Sequence, residues 1–550
     1  MKPMVQMNTP GVYVVEKSAF PNSVVAVETA VPVFIGYTEK ARNGGKSLTN
    51  LPFKVNSMAE FIEYFGSAPI AKFDIKSKDI GPKEKKPAEE KKDGGDDPVT
   101  PNNEEGKISL DITDYSITRS STPYVLYYSM LLFYQNGGGP CYILSVGDYN
   151  SDPSADHFIA GIDLLLKEQE PTMIVMPELV MLTSEKDVYK VQQHALMHCG
   201  DKVKSRVAIL DVFNGYLGRD DASGDVIENF RTGVGINNLD WGAAYYPWIN
   251  TSLVSENSLS FININDESRE VLVNILNREL LAPIESNIQT IGTLESPTTQ
   301  DVTQKQKLQN VQNQYKKLLD AVKELHPHID AQFDAINKTL IKMSPIFNTI
   351  LKEINEKINL LPPSGAMAGI FSMVDHGRGV WKAPANVSLN SVVSPAVNLT
   401  HYDQEDLNVP LSGKAINAIR SFVGEGTLVW GARTMDGNSL DWRYINVRRT
   451  MIMIEQSIKT AAKAYVFEPN VANTWVTMKG MIRNFLTGIW KQGGLAGSSP
   501  EEAFSVSIGL GETMTPNDIL EGIMRVTVLV AVTRPAEFIE ITFTQQTQKS

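Results

Sequence analysis

The stretch from residue 140 to residue 212 alternates short apolar runs with amphipathic segments. Its parts are PCYILSV (140–146), SADHFIAGIDLLLKEQ (154–169), PTMIVMP (171–177), EKDVYKVQQHALMHCG (185–200) and SRVAILDV (205–212). Short apolar strands joined by amphipathic helices are typical of βαβ units, whose strands are parallel. The stretch therefore predicts a central α/β domain.

The composition excludes several classes of protein. Of the 550 residues, 42% are hydrophobic and 21% are charged, as in an ordinary soluble protein. The net charge of −12 argues against nucleic acid as the main partner. Cys141 and Cys199 are too few for a disulfide framework, and no segment approaches the roughly 20 apolar residues of a membrane span. We expect neither secretion through a signal peptide nor membrane insertion.

Two segments outside the central stretch differ in character. Residues 82–107 are charged and almost free of apolar side chains, which predicts a disordered loop. Residues 300–360 carry apolar side chains three and four positions apart, which predicts long helices in a hairpin or small bundle. The first of these rows is Leu308, Val311, Tyr315, Leu318, Val322 and Leu325.

Both ends of the chain have the pattern of β-strands. In the final segment AEFIEITFTQQTQKS (536–550), Ile539, Ile541 and Phe543 alternate with polar residues. Near the start, Val12 and Val14 share one face of GVYVVEK (11–17). A terminal strand must pair its backbone groups with a neighbour, because an open edge invites association.

Three groups of residues could carry chemistry, but each lacks a necessary part. His194 and His198 have the spacing of metal ligands, with Cys199 beside them, yet no second motif supplies a further ligand. Lys46 and Ser47 follow two glycines like the end of a phosphate loop, but a lysine replaces the first glycine of that motif. The remaining candidate is His376.

His376 lies between Asp375 and Arg378 within VDHGRGVW, and it could act as an acid or base. No nucleophile or cofactor motif accompanies it, so a hydrogen-bonded structural role is favoured. We therefore predict no catalytic residue, no cofactor and no metal ligand, and expect that the chain is not an enzyme.

Many ordered phrases of the chain resemble one family, the contractile tail sheath proteins of phages, R-type pyocins and related extracellular injection particles. The similarity covers the first 40 residues, most of 365–550 and, more loosely, 120–250. The phrases are TPGVYVVE (9–16), NGGGPCYILSV (136–146), WGAAYYPWI (241–249), PPSGAMAGIFSMVDHGRGVWKAPAN (362–386), INAIRSFVGEGTLVWGARTM (416–435), YINVRRTMIMIEQSI (444–458), VFEPNVANTWV (466–476), GGLAGSSPEEAFSV (493–506) and RPAEFIEITF (534–543).

The resemblance implies a mixed α/β, multidomain protomer with a conserved inner domain, an inserted outer domain and terminal arms. The expected parts are an N-terminal arm with the first part of the inner domain (1–36), an outer segment (37–120), a central α/β domain (121–295), a helical insertion (296–362), the inner sheath domain (363–533) and a C-terminal arm (534–550).

The resemblance also implies that the arms add strands to sheets of neighbouring subunits. The strand residues would be Val12, Tyr13, Val14, Ile539, Ile541 and Phe543. Hinges beside them would be Pro10, Gly11, Pro21, Asn22, Arg534 and Pro535.

The implied partners are further copies of the chain in a helical homo-oligomer, an inner tube protein, and baseplate and terminal cap proteins. The segment VTMKGMIRNFLTGIWK (476–491) is the best candidate for contact with the tube. It has an apolar stripe, with Lys479, Arg483 and Lys491 on another face. A solvated helix face explains the same pattern.

The expected function is that of a structural protomer whose helical tube contracts and drives an inner tube through a target envelope. Assembly is expected in the bacterial cytoplasm, as part of a phage tail or of a released extracellular particle. The alternative is a non-contractile tail or surface-layer protein of the same fold, and a nucleotide- or metal-using α/β enzyme is a third hypothesis.

Overall fold

The computed structural model describes residues 24–77, 115–294, 296–324 and 333–540. The predicted loop at 82–107 lies outside these residues. So do Val12, Tyr13 and Val14 of the first arm, Ile541 and Phe543 of the second, and the predicted hinges at Pro10, Gly11, Pro21 and Asn22.

The strands are short and spread along the whole described chain. They are β1 (Pro32–Thr38), β2 (Arg42–Asn43), β3 (Lys46–Ser47), β4 (Phe53–Val55), β5 (Phe73–Ser77), β6 (Tyr115–Arg119), β7 (Cys141–Asp148), β8 (Met173–Val175), β9 (Val207–Asp211), β10 (Gly242–Tyr246), β11 (Ile249–Thr251), β12 (Leu360–Leu361), β13 (Val387–Ser388), β14 (Val392–Pro395), β15 (Asn417–Phe422), β16 (Gly426–Trp430), β17 (Phe504–Ser507) and β18 (Thr527–Val530).

The helices, which lie between and beyond these strands, are α1 (Met58–Phe65), α2 (Leu126–Gln135), α3 (Ala155–Leu164), α4 (Glu185–Met197), α5 (Val226–Gly233), α6 (Asp266–Leu276), α7 (Ala282–Gly292), α8 (Thr299–Glu324), α9 (Phe333–Met343), α10 (Pro345–Ile358), α11 (Ser364–Arg378), α12 (His401–Asn408), α13 (Ile445–Ala462), α14 (Ala472–Lys491), α15 (Pro500–Ala503) and α16 (Pro516–Leu520).

A nine-stranded sheet organises most of the chain, in the order β13-β16-β15-β10-β9-β8-β1-β7-β4. Strands β15, β10, β9, β8, β1 and β7 are parallel, as the registers Val33 to Tyr142 and Ile174 to Ala208 show, whereas β16 is antiparallel to β15. Both ends are closed by antiparallel pairs, β4 on β7 and β13 on β16. The α/β fold class predicted from residues 140–212 is confirmed.

The parallel strands are buried on both faces, which explains their composition. All seven residues of β1, PVFIGYT, are buried, and a strand covered on both sides reads as an apolar run rather than an alternation. Right-handed crossovers place α2, which leads from β1 to β7, and α3, which leads from β7 to β8, on opposite faces of the sheet. Ser154 and Ser184 cap α3 and α4 by accepting backbone N–H bonds.

The helical region begins earlier than the sequence pattern indicates. Helix α6 starts at Asp266, inside the predicted central domain, and continues through a π-turn into α7. Helices α6 and α7 pack against α8, where Tyr315, Leu318 and Val322 of the predicted apolar row face the core. The apolar row on which the prediction rests begins in α8, so it did not include α6, which buries Leu272 and Ile275, or α7, which has no buried residue among those described.

Packing divides the described chain into two cores of unequal size. The large core extends from Val33 to Ile452 and includes the nine-stranded sheet. The domain boundary predicted at 362/363 stays a prediction. The nine-stranded sheet crosses it, because strands from both sides of that position are hydrogen-bonded in this one sheet.

The small core is built from α14, β17 and β18, with the end of α13 beside them. Met478, Ile482 and Phe504 are buried in it. Sequence alternation predicts that β18 packs one face on a core, and this is confirmed, because Val528 and Val530 lie against the cluster.

Candidate assembly surface

A buried carboxylate of the chain fills the crevice where doubly wound sheets usually bind ligands. That crevice lies outside the carboxyl ends of the strands where the strand order reverses, here between β1 and β8. Glu178 follows β8, and its carboxylate accepts N–H bonds from Tyr37 at 2.6 Å and from Val125 and Leu126 at 2.8 Å each. Burial raises the pKa of Glu178 to about 7, against the lowering effect of the three N–H donors. A side chain therefore occupies the anion position at the start of α2.

The glycine-lysine segment 44–47 forms a hairpin turn rather than a phosphate loop. Asn43 pairs with Lys46 between β2 and β3, and Gly44 has a φ of 58°, which glycine adopts without strain. A phosphate loop requires a strand followed by a helix, and a strand follows here.

The His194–Cys199 group is held by partners that explain it without a metal. His194 Nε2 lies 3.0 Å from Asp163 Oδ1. His198 is buried, and Arg206 Nη1 lies 3.5 Å from its Nε2, where a cation would be repelled. Burial and this guanidinium lower the pKa of His198 to about 4. The described residues contain no cluster of three or more side chains suited to a metal ion.

His376 has the hydrogen-bonded role that its context favours. Its Nδ1 donates to the carbonyl oxygen of Ser372 at 2.7 Å, one turn earlier in α11. Asp375 beside it pairs with Arg449 through bonds of 2.5 and 2.9 Å, and both of these charged side chains are buried. The pair joins α11 to α13, so this histidine lies next to a packing contact.

The small sheet of β17 and β18 has only two strands among the described residues. Its two strands pair antiparallel, Phe504 with Val530 and Ser507 with Thr527, and neither pairs with a third strand. One face covers the small core, whereas Leu529 on the other is 63% exposed. A two-stranded ribbon is marginal alone, and its outer edges carry backbone groups that can accept added strands.

The C-terminal segment runs from this sheet onto the large body. Thr533 N–H bonds to the carbonyl of Gly494 at 3.3 Å, and the Glu537 carboxylate then meets Arg433 and Tyr444. Immediately afterwards Phe538 and Ile539 are 74% and 80% exposed. Ile539 thus lies at the surface, and of the two described hinge candidates Arg534 is exposed and Pro535 partly buried.

Helix α14 has the predicted apolar stripe and basic face, and acidic side chains lie beside the basic face. Its apolar stripe packs into the small core, including Ile482 and Ile489. On its other face Lys479 lies 3.6 Å from Glu512 and Arg483 lies 3.7 Å from Glu501, while Lys491 is exposed. The acidic neighbours could not be predicted, because they come from later segments, Glu501 from α15 and Glu512 from a turn, and they reduce the positive charge of this face.

Several large apolar side chains in the second half of the chain are fully exposed, and sequence reasoning missed them. Leu411, Val423 and Phe467 are fully exposed, at 105%, 106% and 103%. Phe467 also has a φ of 71°, a left-handed conformation that costs energy for a bulky residue. Singly, such exposed apolar residues are ordinary on a protein surface.

Comparison with known proteins gives one family match and several relatives. The family model of the phage tail sheath C-terminal domain matches residues 438–546. The tail sheath protein of Vibrio phage KVP40 is 26% identical over 170 residues, which is 30% of this chain and 24% of that protein. The tail sheath protein of Enterobacteria phage T4 is 24% identical over 141 residues, 26% of this chain and 21% of that protein. The chain thus matches about a quarter of the length of these phage proteins.

Solved structures match over nearly the whole chain. A chain in the contracted helical sheath of the anti-feeding prophage is 25% identical, with a TM-score of 0.56 over 99% of this chain and 100% of that one. A chain in the baseplate structure of the same particle is 26% identical, with a TM-score of 0.55 over 98% of this chain and 100% of that one.

Together these matches confirm the resemblance to contractile tail sheath proteins and the mixed α/β fold. The described helices include none with the length and apolar character needed to cross a membrane.

Proposed function

We propose that this chain, which carries a phage tail sheath C-terminal domain and has the fold of a contractile sheath subunit, is the structural protomer of such a sheath. Copies assemble as a helical tube around an inner tube, and the sheath contracts to drive that tube through a target envelope. The observations that carry the proposal are the two-stranded sheet with open edges and the exposed apolar side chains of Phe538 and Ile539.

Assembly occurs by strand addition between copies. Val12, Tyr13 and Val14 of one arm and Ile539, Ile541 and Phe543 of the other pair with the edges of β17 and β18 in neighbouring subunits. Each arm forms a handful of backbone hydrogen bonds, worth roughly 1 kcal/mol each. Because such contacts join different surfaces and do not close on themselves, they generate a helix.

Contraction moves rigid bodies that the arms keep connected. The large core supports rigidity of the body, since one sheet extends through it. Backbone change is confined to the arms, at Pro10, Gly11, Pro21 and Asn22 on one side and near Arg534 and Pro535 on the other. The extended sheath is kinetically trapped, its energy lies in contacts between bodies, and rearrangement of the baseplate releases it.

The chain itself contributes no catalytic step to this process. Glu178 fills the ligand crevice of the sheet, and the two histidine groups have structural partners. Force therefore comes from repacking of subunits and not from hydrolysis of a nucleotide by this chain.

The inner tube touches the exposed face of α14. Lys479, Arg483 and Lys491 lie on that face, and they would attract an acidic tube surface. Further partners are the baseplate and a terminal cap. Assembly takes place in the bacterial cytoplasm, and the particle is a phage tail or a released injection device.

Electron microscopy of the chain co-expressed with its tube and baseplate proteins tests the proposal. A contractile sheath gives tubes in two states, one long and narrow and one short and wide. Rigid tubes of a single length would support the non-contractile alternative, and small discrete particles would contradict both structural functions.

A further inference from the structure

We infer that Arg433, Tyr444 and Glu537 form an arm clamp, which fixes the C-terminal arm to its own large body and makes Phe538 the first residue available for exchange. The inference rests on the proposed function and deepens it. It also places the moving joint after Glu537, beyond the predicted hinge at Arg534 and Pro535.

The contact between Arg433 and Glu537 is bidentate and largely shielded from water. Arg433 Nε lies 3.0 Å from one carboxylate oxygen of Glu537, and Nη2 lies 2.6 Å from the other. The side chains are 3% and 19% exposed. Paired, partly desolvated groups in this geometry interact far more strongly than surface ion pairs.

Two further hydrogen bonds complete the arm clamp. Tyr444 donates its hydroxyl proton to Glu537 Oε2 at 3.1 Å, and Arg433 Nη1 donates to the carbonyl oxygen of Asn408 at 2.8 Å. Burial acts to raise the pKa of Glu537, but the hydrogen bonds and the charge of Arg433 lower it overall. The carboxylate is therefore ionised when the arm is seated.

The arm clamp is attached to the large sheet and not to the small one. Asn417 in β15 accepts the backbone N–H of Arg433 at 2.7 Å. The same side chain donates to the carbonyl oxygens of Arg433 and of Ala244 in β10, at 2.9 and 3.1 Å. Tension on the arm would thus pass from Glu537 through Arg433 to two adjacent strands of the body.

The residues on either side of the arm clamp are far more exposed to solvent than the clamp itself. Arg534, three positions before Glu537, faces Asp441 at 3.7 Å, and both side chains are more than half exposed. Such a pair contributes little. Phe538 and Ile539 beyond it are exposed and apolar, which suits a strand that is buried only in a neighbouring copy.

The experiment compares amide hydrogen exchange in the unassembled full-length chain and in three variants. In Glu537→Gln, which keeps the shape but loses the charge, we expect exchange of the hydrogen-bonded amides of Ala531 and Thr533, within residues 531–537, to accelerate about tenfold or more, since a buried charge loses its partner. Arg534→Gln is the matched control, because it removes a nearby exposed ion pair, and its exchange should be unchanged. Tyr444→Phe removes one hydrogen bond and should accelerate exchange about two- to threefold.

The outcomes separate the arm clamp from the proposed function. Unchanged exchange in Glu537→Gln, or equal acceleration in Arg534→Gln, overturns the arm clamp even if the wild-type chain forms contractile tubes. If Glu537→Gln loosens the whole chain, Tyr444→Phe decides: acceleration limited to 531–537 supports the arm clamp, and no acceleration contradicts it. Failure of the wild-type chain to form tubes contradicts the proposed function and leaves the exchange result standing.

Discussion

The strands of the large core and those of the small core differ in how many hydrogen-bonded neighbours they have. In the large core every inner strand has a neighbour on both sides, and Phe34 at its centre is completely buried. In the small core β17 and β18 pair only with each other among the described residues, and Leu529 faces solvent. The difference teaches that the large sheet is finished by its own chain, whereas the small sheet keeps open edges, which we propose are completed by other copies.

The largest expected effect follows from removing the C-terminal strand residues. A chain truncated after Glu537 keeps both cores and the arm clamp, but it cannot supply a strand to its neighbour. We expect complete loss of tubes in electron microscopy and an unfolding temperature within a few degrees of the full chain. Normal tubes from the truncated chain would show that the small sheet needs no partner strand from this end.

A matched pair of alanine substitutions separates the two cores by stability. Phe34→Ala removes a fully buried ring and should lower the free energy of unfolding by about 3–5 kcal/mol. Leu529→Ala, on the exposed face of β18, should change it by less than about 0.5 kcal/mol. Denaturant unfolding of the unassembled chain measures both values. Similar losses at the two positions would mean that the small sheet is already covered within one chain.

The sequence predicts the strands of the large sheet better than it predicts the contacts around the small core and the C-terminal arm, and the reason is physical. The strands of the large sheet are continuous apolar runs, such as β1 and β9, and such runs are local signals. Contacts between distant segments leave no such signal. The pairing of Arg433 with Glu537 spans 104 positions, and the acidic partners of Lys479 and Arg483 come from two separate segments after α14.

The two terminal arms show a second limit of prediction from sequence, which is that a strand pattern does not identify the partner of the strand. Their alternation predicts strands, but most of their residues lie outside the described part of the chain, and the partners proposed for them are other copies of the chain. The helical region was predicted from α8 onward because that helix has an apolar row, whereas α7 lacks buried residues. Local periodicity therefore indicates elements that bury one face within the chain.

Acidity should affect Asp211 in the large core and Glu537 in the arm clamp with opposite signs. Asp211 in β9 is buried and accepts the Ser364 N–H at 2.8 Å, and burial raises its pKa to about 7 from 3.8. The folded state then binds a proton more readily than the unfolded state, so its contribution to stability falls as pH rises from about 4 to 7. Glu537 has a lowered pKa, so the arm clamp is complete above its ordinary pKa of about 4.5 and weakens only as pH falls below that value.

Denaturant unfolding of Asp211→Asn between pH 4 and 8 checks the first of these signs. The asparagine can still accept the Ser364 N–H but does not titrate, so the decline in stability between pH 4 and 7 should be smaller by at most a few kcal/mol. Asp220→Asn at an exposed position is the control and should leave the profile unchanged. A decline of the same size in wild type and Asp211→Asn would show that this carboxyl is ionised in the folded body.

The smallest effect on the stability of one chain is expected from charge reversal on the exposed face of α14. An equal charge reversal on the large body allows the two regions to be compared. Lys479→Glu with Arg483→Glu reverses two charges and places them beside Glu512 and Glu501. Each exposed pair contributes about 0.2–1 kcal/mol, so the folded chain should remain stable. Because every protomer in the tube repeats the change, co-assembly with the inner tube should fall several-fold, as counted in electron micrographs.

The control for this reversal lies on the large body. Lys190 on α4 faces Asp156 at 3.5 Å, and both are well exposed, so Lys190→Glu with Lys186→Glu makes an equal change of charge away from α14. If both double variants reduce co-assembly equally, the cause is net charge and not contact with the tube. If neither does, the tube is held by another surface, and the face of α14 is only solvated. A reduction confined to Lys479 and Arg483 is the result that assigns this helix to the tube, because the two variants then differ only in which region carries the altered charges.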